Sequence, residues 1–425
     1  MQRVLSFQMA RGAGESSEFV TKRMCCSFLF SVGFMCLLCG FLLGRFAAER
    51  AMDFRAQKKR YELSGNGLES TEYLQHLLYQ ELLNTSLDFP STWNNPDLKQ
   101  RDMQLVNLTF SESLLIHEVT KHDSCITGIV RGSRELDKYL IVSANGEGAK
   151  VIINLLIGLN QMREEYFWKP RRSIVFCIFF GSVDVCPETI TAFMRRGIIS
   201  YISVHDNHLQ GDGQDIAVSG SDILQYVVLQ LQNVVSYNER ILSSHNWTYN
   251  NHESSATLLN IPQLAFSFVR GNKTDNNYNN EFRKISLAQI VGQTIWRLSE
   301  CLVIRWDPSY FNQTVSTALE TIENSDYFNA KATAQEIIDS LVSNVEDLNK
   351  KIDEADGTKI LETRILNDLM MDLDRVLLCH NTNLQYTTNW TIFLNLSHEP
   401  SSKTLLRVHE LLKCYENGIK ILTGW

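Results

Sequence analysis

Apolar residues recur along this chain in three rhythms, each confined to its own stretch. Met24 to Gly44 (MCCSFLFSVGFMCLLCGFLLG) runs apolar and uncharged without a break; at a rise of 1.5 Å per residue it makes a helix of about 31 Å, enough to cross a hydrocarbon core. From Tyr139 to Asp206 short apolar runs alternate with helical spacing. YLIVSANGEGAKVIINLLIGL reads as strand, Gly-rich turn and helix, while KPRRSIVFCIFF and ISYISVHD read as two more buried strands. Such runs, rich in β-branched and aromatic side chains, predict a mostly parallel sheet flanked by helices, hence an α/β domain. From Asn312 onward apolar positions recur every three or four residues. The first run holds Ile337, Ile338, Leu341, Val342, Val345, Leu348 and Ile352 and stops at Gly357, the second holds Ile365, Leu369, Leu373, Val376 and Leu377, and the third holds Leu405, Leu406, Val408, Leu411, Leu412, Ile419 and Leu422. These are the stripes of a C-terminal helical bundle.

The intervening segments complete the layout. Ser70 to Leu83 is an amphipathic helix opened by a Ser/Thr cap, and Ser221 to Val234 is a helix capped by Ser221 or Asp222. Pro262 to Phe268 is a buried strand, Ile285 to Arg305 a long helix ended by WDPSY, and QLVNLTFSES and CITGIVRG are expected to supply edge strands. The expected organisation is a tail over 1–23, a transmembrane helix over 24–44, a stalk with the amphipathic helix over 45–95, the α/β domain over 96–310 and the helical region over 311–425.

Composition narrows the function class. The chain has 425 residues, 44% apolar, and a net charge of -8, with basic residues neither in excess nor clustered, which argues against a nucleic-acid partner. No G-x-S-x-G, H-E-x-x-H, Walker loop or paired C-x-x-C array is present. Cys36 and Cys39 have C-x-x-C spacing but lie inside the apolar segment, where packing explains them better. Cys25 and Cys26, at the end of that segment, are either palmitoylation sites or ordinary membrane packing. Cys177 and Cys186 are either a disulfide or two buried thiols, and an even number of cysteines in the body permits further pairing.

Orientation in the membrane sets two rules against each other. Arg45, Arg50, Arg55, Lys58, Lys59 and Arg60 outnumber Arg3, Arg11, Lys22 and Arg23, favouring a cytosolic C-terminus. The N-x-S/T sequons, at Asn84, Asn107, Asn246, Asn272, Asn312, Asn389 and Asn395, all lie downstream of the span. Cleavage after Phe46-Ala47-Ala48 is the minority alternative to a retained anchor.

In open α/β sheets ligands gather at the carboxyl ends of the strands. Here those ends read Asn145-Gly146-Glu147, Gly181-Ser182-Val183 and His205-Asp206. Together with TGIVRGSRELDKYLIVSA, WKPRRSIVFC and AQIVGQTIWRL, they resemble the family of the transferrin receptor and glutamate carboxypeptidase II, most closely its inactive N-acetylated-alpha-linked acidic dipeptidase-like branch, from about Cys125 to the end. The resemblance implies a zinc-peptidase-like sheet, a cytosolic N-terminus with an extracellular or lumenal body, and a C-terminal bundle that pairs two chains, as a homodimer or with a family member. A zinc-binding His of active members falls on Asn145, and the loop carrying their metal-bridging Asp has shrunk to about Gly146. Their Glu-Glu pair, one base and one ligand, falls on Ser182 and Val183. Their next Asp ligand falls on His205, and no Tyr-His pair matches the last ligand between Phe268 and Ile285. The separate apical or protease-associated domain of full-length members is missing. A two-zinc site needs clustered carboxylate and imidazole donors and a base to activate water. The expectation is therefore no cofactor and no catalysis.

Three alternatives are weighed against it. His205, Asp206 and His208 form either a small metal or acid/base cluster or, as favoured, a solvated turn; Glu147 and Asp184 are rescued ligands or, as favoured, surface carboxylates. A residual metallopeptidase would recruit these four acidic and imidazole groups, His205, Asp206, Glu147 and Asp184. A ligand-uptake receptor would need a sorting signal, and Met1 to Arg23 has no Tyr-x-x-apolar or dileucine pattern.

Overall fold

A computed structural model describes residues 27–47, 50, 76–77, 80, 96–211, 215–231, 241–243, 260–269, 280–320, 328–355, 359–379 and 402–424. Cys25 and Cys26, most of the predicted Ser70 to Leu83 helix, the polar loop from Arg270, and the sequons at Asn84, Asn246, Asn272, Asn389 and Asn395 lie outside the described residues. Contacts divide the chain into two units, Met1–Arg60 and Tyr61–Trp425. In the first, Ser27–Ala47 is one helix; its length and composition suffice to cross a membrane, a property shared by signal sequences.

The second unit is built in chain order from α1 (Pro96–Glu112), β1 (Glu118–Lys121), β2 (Cys125–Val130), β3 (Glu135–Ala144), α2 (Gly146–Tyr166), β4 (Arg172–Phe179), α3 (Ala192–Gly197), β5 (Ile198–Val204), β6 (Ile216–Gly220), α4 (Asp222–Leu229), β7 (Ile241–Ser243), β8 (Gln263–Phe268), α5 (Asn280–Glu300), α6 (Ser309–Glu320), α7 (Phe328–Glu354), α8 (Ile360–Leu377) and α9 (Ser402–Thr423). The strands form one mixed sheet in the order β1-β2-β4-β3-β5-β8-β6-β7. Its centre, β4, β3, β5 and β8, is parallel; the β1/β2, β2/β4 and β6/β8 pairs are antiparallel. Chain order reverses at β3, with β4 on one side and β5 on the other, so the topological switch point opens between the tips of β3 and β5.

Three sequence expectations change. QLVNLTFSES is helix, not strand: Met103, Val106 and Phe110 are buried at helical spacing, and the Phe110 ring lies so close to Gly128 of β2 that a Cβ there would approach it to 2.7 Å. CITGIV is β2, one place in from the edge, which β1 supplies. The helix expected to reach Arg305 stops at Glu300, and the carbonyls beyond it serve other groups.

One of those groups is Arg172, a fully buried guanidinium at the start of β4. Its Nε donates to Glu135 Oε2 (3.0 Å), and its terminal nitrogens donate to the Leu298 and Leu302 carbonyls (2.8 and 3.3 Å) and Cys301 Sγ (3.2 Å). Arg171 Nε reaches the other Glu135 oxygen at 2.6 Å. The network joins β3, β4 and the end of α5.

The C-terminal helices attach at the amino ends of the strands, away from the switch point. Arg375 of α8 donates to the Arg196 and Ile198 carbonyls where β5 begins (2.8 and 3.1 Å), and Lys138 and Arg364 pair with Asp368 and Asp137 between α8 and β3. Asn367 ties α8 to the Leu302 carbonyl and the Ile304 amide (2.7 and 3.0 Å). One apolar core runs from the helix-covered face of the sheet through α6 to α9, and a smaller one lies on the opposite face around Ile141, Val175, Phe179 and Tyr201.

At this junction the buried Asp374 of α8 accepts a hydrogen bond from Ser221 Oγ (3.1 Å), the residue that caps α4 through the Leu224 amide. Burial, the largest influence, and the neighbouring Asp222 carboxylate push Asp374 up to about 8 against the opposing effects of Ser221 and Arg375. Asp374 is thus protonated in the native chain at pH values where the unfolded chain has already ionised it. Its contribution to stability is full below the unfolded pKa, near 3.9, and is lost as pH rises through the folded pKa. Chemical denaturation should accordingly give a lower unfolding free energy at pH 8.5 than at pH 5, by a loss on the order of a few kcal/mol. Asp374→Asn should flatten that slope; a slope that survives the substitution would assign it to another group.

Candidate functional site

The strand tips at the switch point are held together by side chains of the very positions singled out in the sequence. Asn145 sits at the N-cap of α2, yet its buried side chain does not cap that helix. Its Nδ2 donates to the Gly181 carbonyl beyond β4 (2.9 Å), and its Oδ1 accepts from the Asp206 amide beyond β5 (2.9 Å). One amide therefore bridges three strand tips. The helix N-terminus is served instead by Asp206, whose Oδ1 accepts from the Glu147 amide at 3.3 Å, a carboxylate placed where the helix dipole favours negative charge. Gly146, at φ 52°, makes this close approach possible: a Cβ there would meet the Asp206 side chain at 2.7 Å.

Asp184 is the group that the sequence reading misplaced. It is not a surface carboxylate; its side chain is 14% exposed and faces the smaller core. Oδ2 accepts from Ser143 Oγ of β3 (2.9 Å) and Tyr201 Oη of β5 (2.5 Å), with His205 Nε2 at 3.4 Å, while Oδ1 accepts from the Cys186 amide (3.0 Å). Three of these groups gather on Oδ2 and one reaches Oδ1. Burial works to raise the Asp184 pKa, and His205, Tyr201 and the Cys186 amide together overcome it, leaving the carboxyl below its usual range. Cys177 and Cys186 form a disulfide, which settles the question left open by their spacing. That bond staples β4 to the loop carrying Asp184.

His205 is likewise buried and not part of a solvated turn. Its Nε2 lies 3.2 Å from Ser143 Oγ, and its ring meets Phe179 edge-on and stacks on His208 at 5.7 Å. Burial, helped by the adjacent His205, pushes His208 down to about 4, so it is neutral at physiological pH. Glu147 is half-buried and paired with Lys150 (2.7 Å) and Lys284 of α5 (2.5 Å). Burial opposes its ionisation, but the two lysines prevail and hold its pKa below the usual value. Ser182 and Val183 are exposed, Val183 at 40%. Among the described residues, no group of three or more His, Cys, Asp or Glu side chains is placed to hold a metal ion.

The structure therefore brings Asn145, Glu147, Asp184, His205 and Asp206 to one end of the sheet and leaves Ser182 and Val183 facing outward. Sequence reasoning missed Ser143 and Tyr201. The signal was faint: polar groups at positions of β3 and β5 otherwise occupied by apolar residues. The two described sequons lie on helices, with Asn107 on α1 and Asn312 on α6, both part-exposed.

No protein-family model matches the chain, and no curated protein matches it. Parts of its backbone overlap solved structures. The LapA aminopeptidase of Legionella pneumophila superposes with a TM-score of 0.39 and 9% identity, over 55% of this chain and 74% of that one. An aminopeptidase from Aneurinibacillus sp. strain AM-1 gives 0.30 and 12%, over 43% and 50%. A zinc aminopeptidase from Bacillus subtilis gives 0.28 and 8%, over 42% and 52%. This chain thus spans about half the length of the latter two.

Proposed function

We propose that this chain is a non-catalytic, single-pass type II membrane glycoprotein whose peptidase-like body serves as a binding or dimerisation module. The observation that carries the reading is the mutual satisfaction of the strand-tip polar groups. A two-zinc centre needs several open carboxylate and imidazole donors and a base aimed at a bound water, and the side chains here do not fit one. Asn145 is bonded at both ends of its amide, each Asp184 oxygen accepts at least one hydrogen bond, His205 Nε2 faces Ser143 and Asp184, and Asp206 serves a helix amide. Glu147, the remaining carboxylate, is engaged by two lysines. The arrangement does the work of a structural clasp, holding the tips of β3, β4 and β5 in register.

The membrane part of the proposal rests on Ser27–Ala47 and on sequons confined to the downstream side. The pairing part is supported by apolar side chains left facing outward on the C-terminal helices: Ile360 and Leu361, each 72% exposed, on α8, and Leu405 and Leu406 on α9.

The test is metal content and hydrolysis measured on the same purified body, starting at residue 61. The expected result is sub-stoichiometric zinc and no chelator-sensitive cleavage of dipeptide or amino-acid amide substrates. Stoichiometric zinc with cleavage that a chelator abolishes would replace this reading with a metallopeptidase using His205, Asp206, Glu147 and Asp184.

A further inference from the structure

We propose that Cys379 and Cys414 form a second intramolecular disulfide, which fastens the last helix to the end of α8. Cys379 follows the α8 cap with φ 54°, a left-handed conformation that turns it out of the helical path, and it is buried. Cys414 lies on α9, and the two thiols are within hydrogen-bonding reach of each other. The helices around them are already fixed by packing. Leu411 and Tyr415, on either side of Cys414, are fully buried, and Gly418 lies so close to Leu373 and Leu377 of α8 that an added Cβ would stand 3.2 and 3.5 Å from them. In the structure Cys379 and Cys414 are both free thiols.

Competing partners are elsewhere. Cys125 belongs to the small core on the far face of the sheet, and Cys301 accepts a hydrogen bond from Arg172. A bond such as Cys177–Cys186 persists in an oxidising compartment, where a second pair of neighbouring thiols meets the same chemistry. Cys414 is the more accessible of the two, and the hydrogen bond from Cys379 lowers its pKa, so it supplies the attacking thiolate. The oxidant is an external disulfide, such as oxidised glutathione or an oxidised dithiol exchange protein. Cys414 thiolate attacks one of its sulfurs and releases the other as a thiol; Cys379, giving up its proton, then attacks the Cys414 sulfur of the mixed disulfide and releases the second. Two protein thiols and one external disulfide become one protein disulfide and two external thiols.

The full chain, produced through a secretory pathway and solubilised in the presence of a maleimide, tests this by peptide mapping without reductant. The expected map contains a reducible Cys379–Cys414 pair beside the Cys177–Cys186 pair, with no maleimide on either Cys379 or Cys414. An intact Cys177–Cys186 pair accompanied by maleimide on both Cys379 and Cys414, or a link from either to another cysteine, would overturn the proposal. A second measurement does not depend on mapping. Reductant should lower the melting temperature of the wild-type chain by several degrees more than that of a Cys379→Ser/Cys414→Ser variant, and equal shifts would also count against the bond.

Discussion

Arg172→Ala should lower the unfolding free energy by about 3–5 kcal/mol, the usual cost of removing one partner from a buried ion pair. The loss has two physical parts. Glu135, itself buried, keeps Arg171 as its one charged partner among the described residues, and the Leu298 carbonyl loses a donor it cannot replace from solvent, while the Leu302 carbonyl keeps Asn367. Arg172→Lys should recover little, because an ammonium cannot fork across Glu135, two carbonyls and a sulfur at once. Combining Glu135→Leu with Arg172→Met should recover part of the loss, since an apolar pair of similar volume leaves no charge stranded. Urea denaturation of the three variants checks this. A loss under about 1 kcal/mol for Arg172→Ala would mean that the guanidinium is not the joint between β4 and α5.

Gly148→Ala is the second substitution with a large expected effect, and its sign runs against helix propensity. Gly148 lies in the first turn of α2, where alanine would ordinarily stabilise by about 1 kcal/mol. Here an added Cβ would fall 1.8 Å from the Val204 carbonyl oxygen of β5. The obstacle is backbone, so no rotamer change relieves it. The helix must lift off the sheet, drawing Asn145 away from the Asp206 amide and Glu147 away from the Asp206 carboxylate. Net destabilisation of about 3 kcal/mol or more is expected, at the upper end for overpacking because backbone is displaced. A thermal melt showing an unchanged or raised midpoint would contradict the close docking of α2 on β5.

The legible parts of this fold were those written in local pattern. β3, β4 and β5 are apolar runs with no competing reading, and the Gly-rich turn between Ala144 and Lys150 could only precede a helix. The C-terminal stripes announced α7, α8 and α9 because each buries one face over many turns. Where pattern was short, it misled. QLVNLTFSES carries β-formers, yet its Val106 and Phe110, with Met103 just before it, keep the helical interval, and the space above Gly128 decides in favour of the helix. β6 is five residues long and finishes in Ser219-Gly220, and nothing in it rises above the surrounding sequence.

The candidate site divides in the same way. Its positions were visible, since strand ends follow from strands, and the resemblance pointed to Asn145, Ser182, Val183 and His205. Their roles were not. Asp184 reads as a surface residue because its setting depends on Ser143, 41 residues before it, and Tyr201, 17 residues after it, brought together only by the sheet order. The resemblance reads Asn145 as a lost ligand; the amide it stretches between Gly181 and Asp206 is a property of three strand tips together. Non-local hydrogen bonding of this kind leaves no period in a sequence.

Crystals of the body soaked in millimolar zinc, with anomalous data collected above the zinc absorption edge, give the most direct answer. The account predicts no strong peak within coordination distance, about 2.0–2.2 Å, of the oxygens of Asn145, Asp184 or Asp206 or the nitrogens of His205. Two peaks there, about 3.5–4 Å apart as in two-metal hydrolases, with Asp184 turned away from Tyr201, would contradict it.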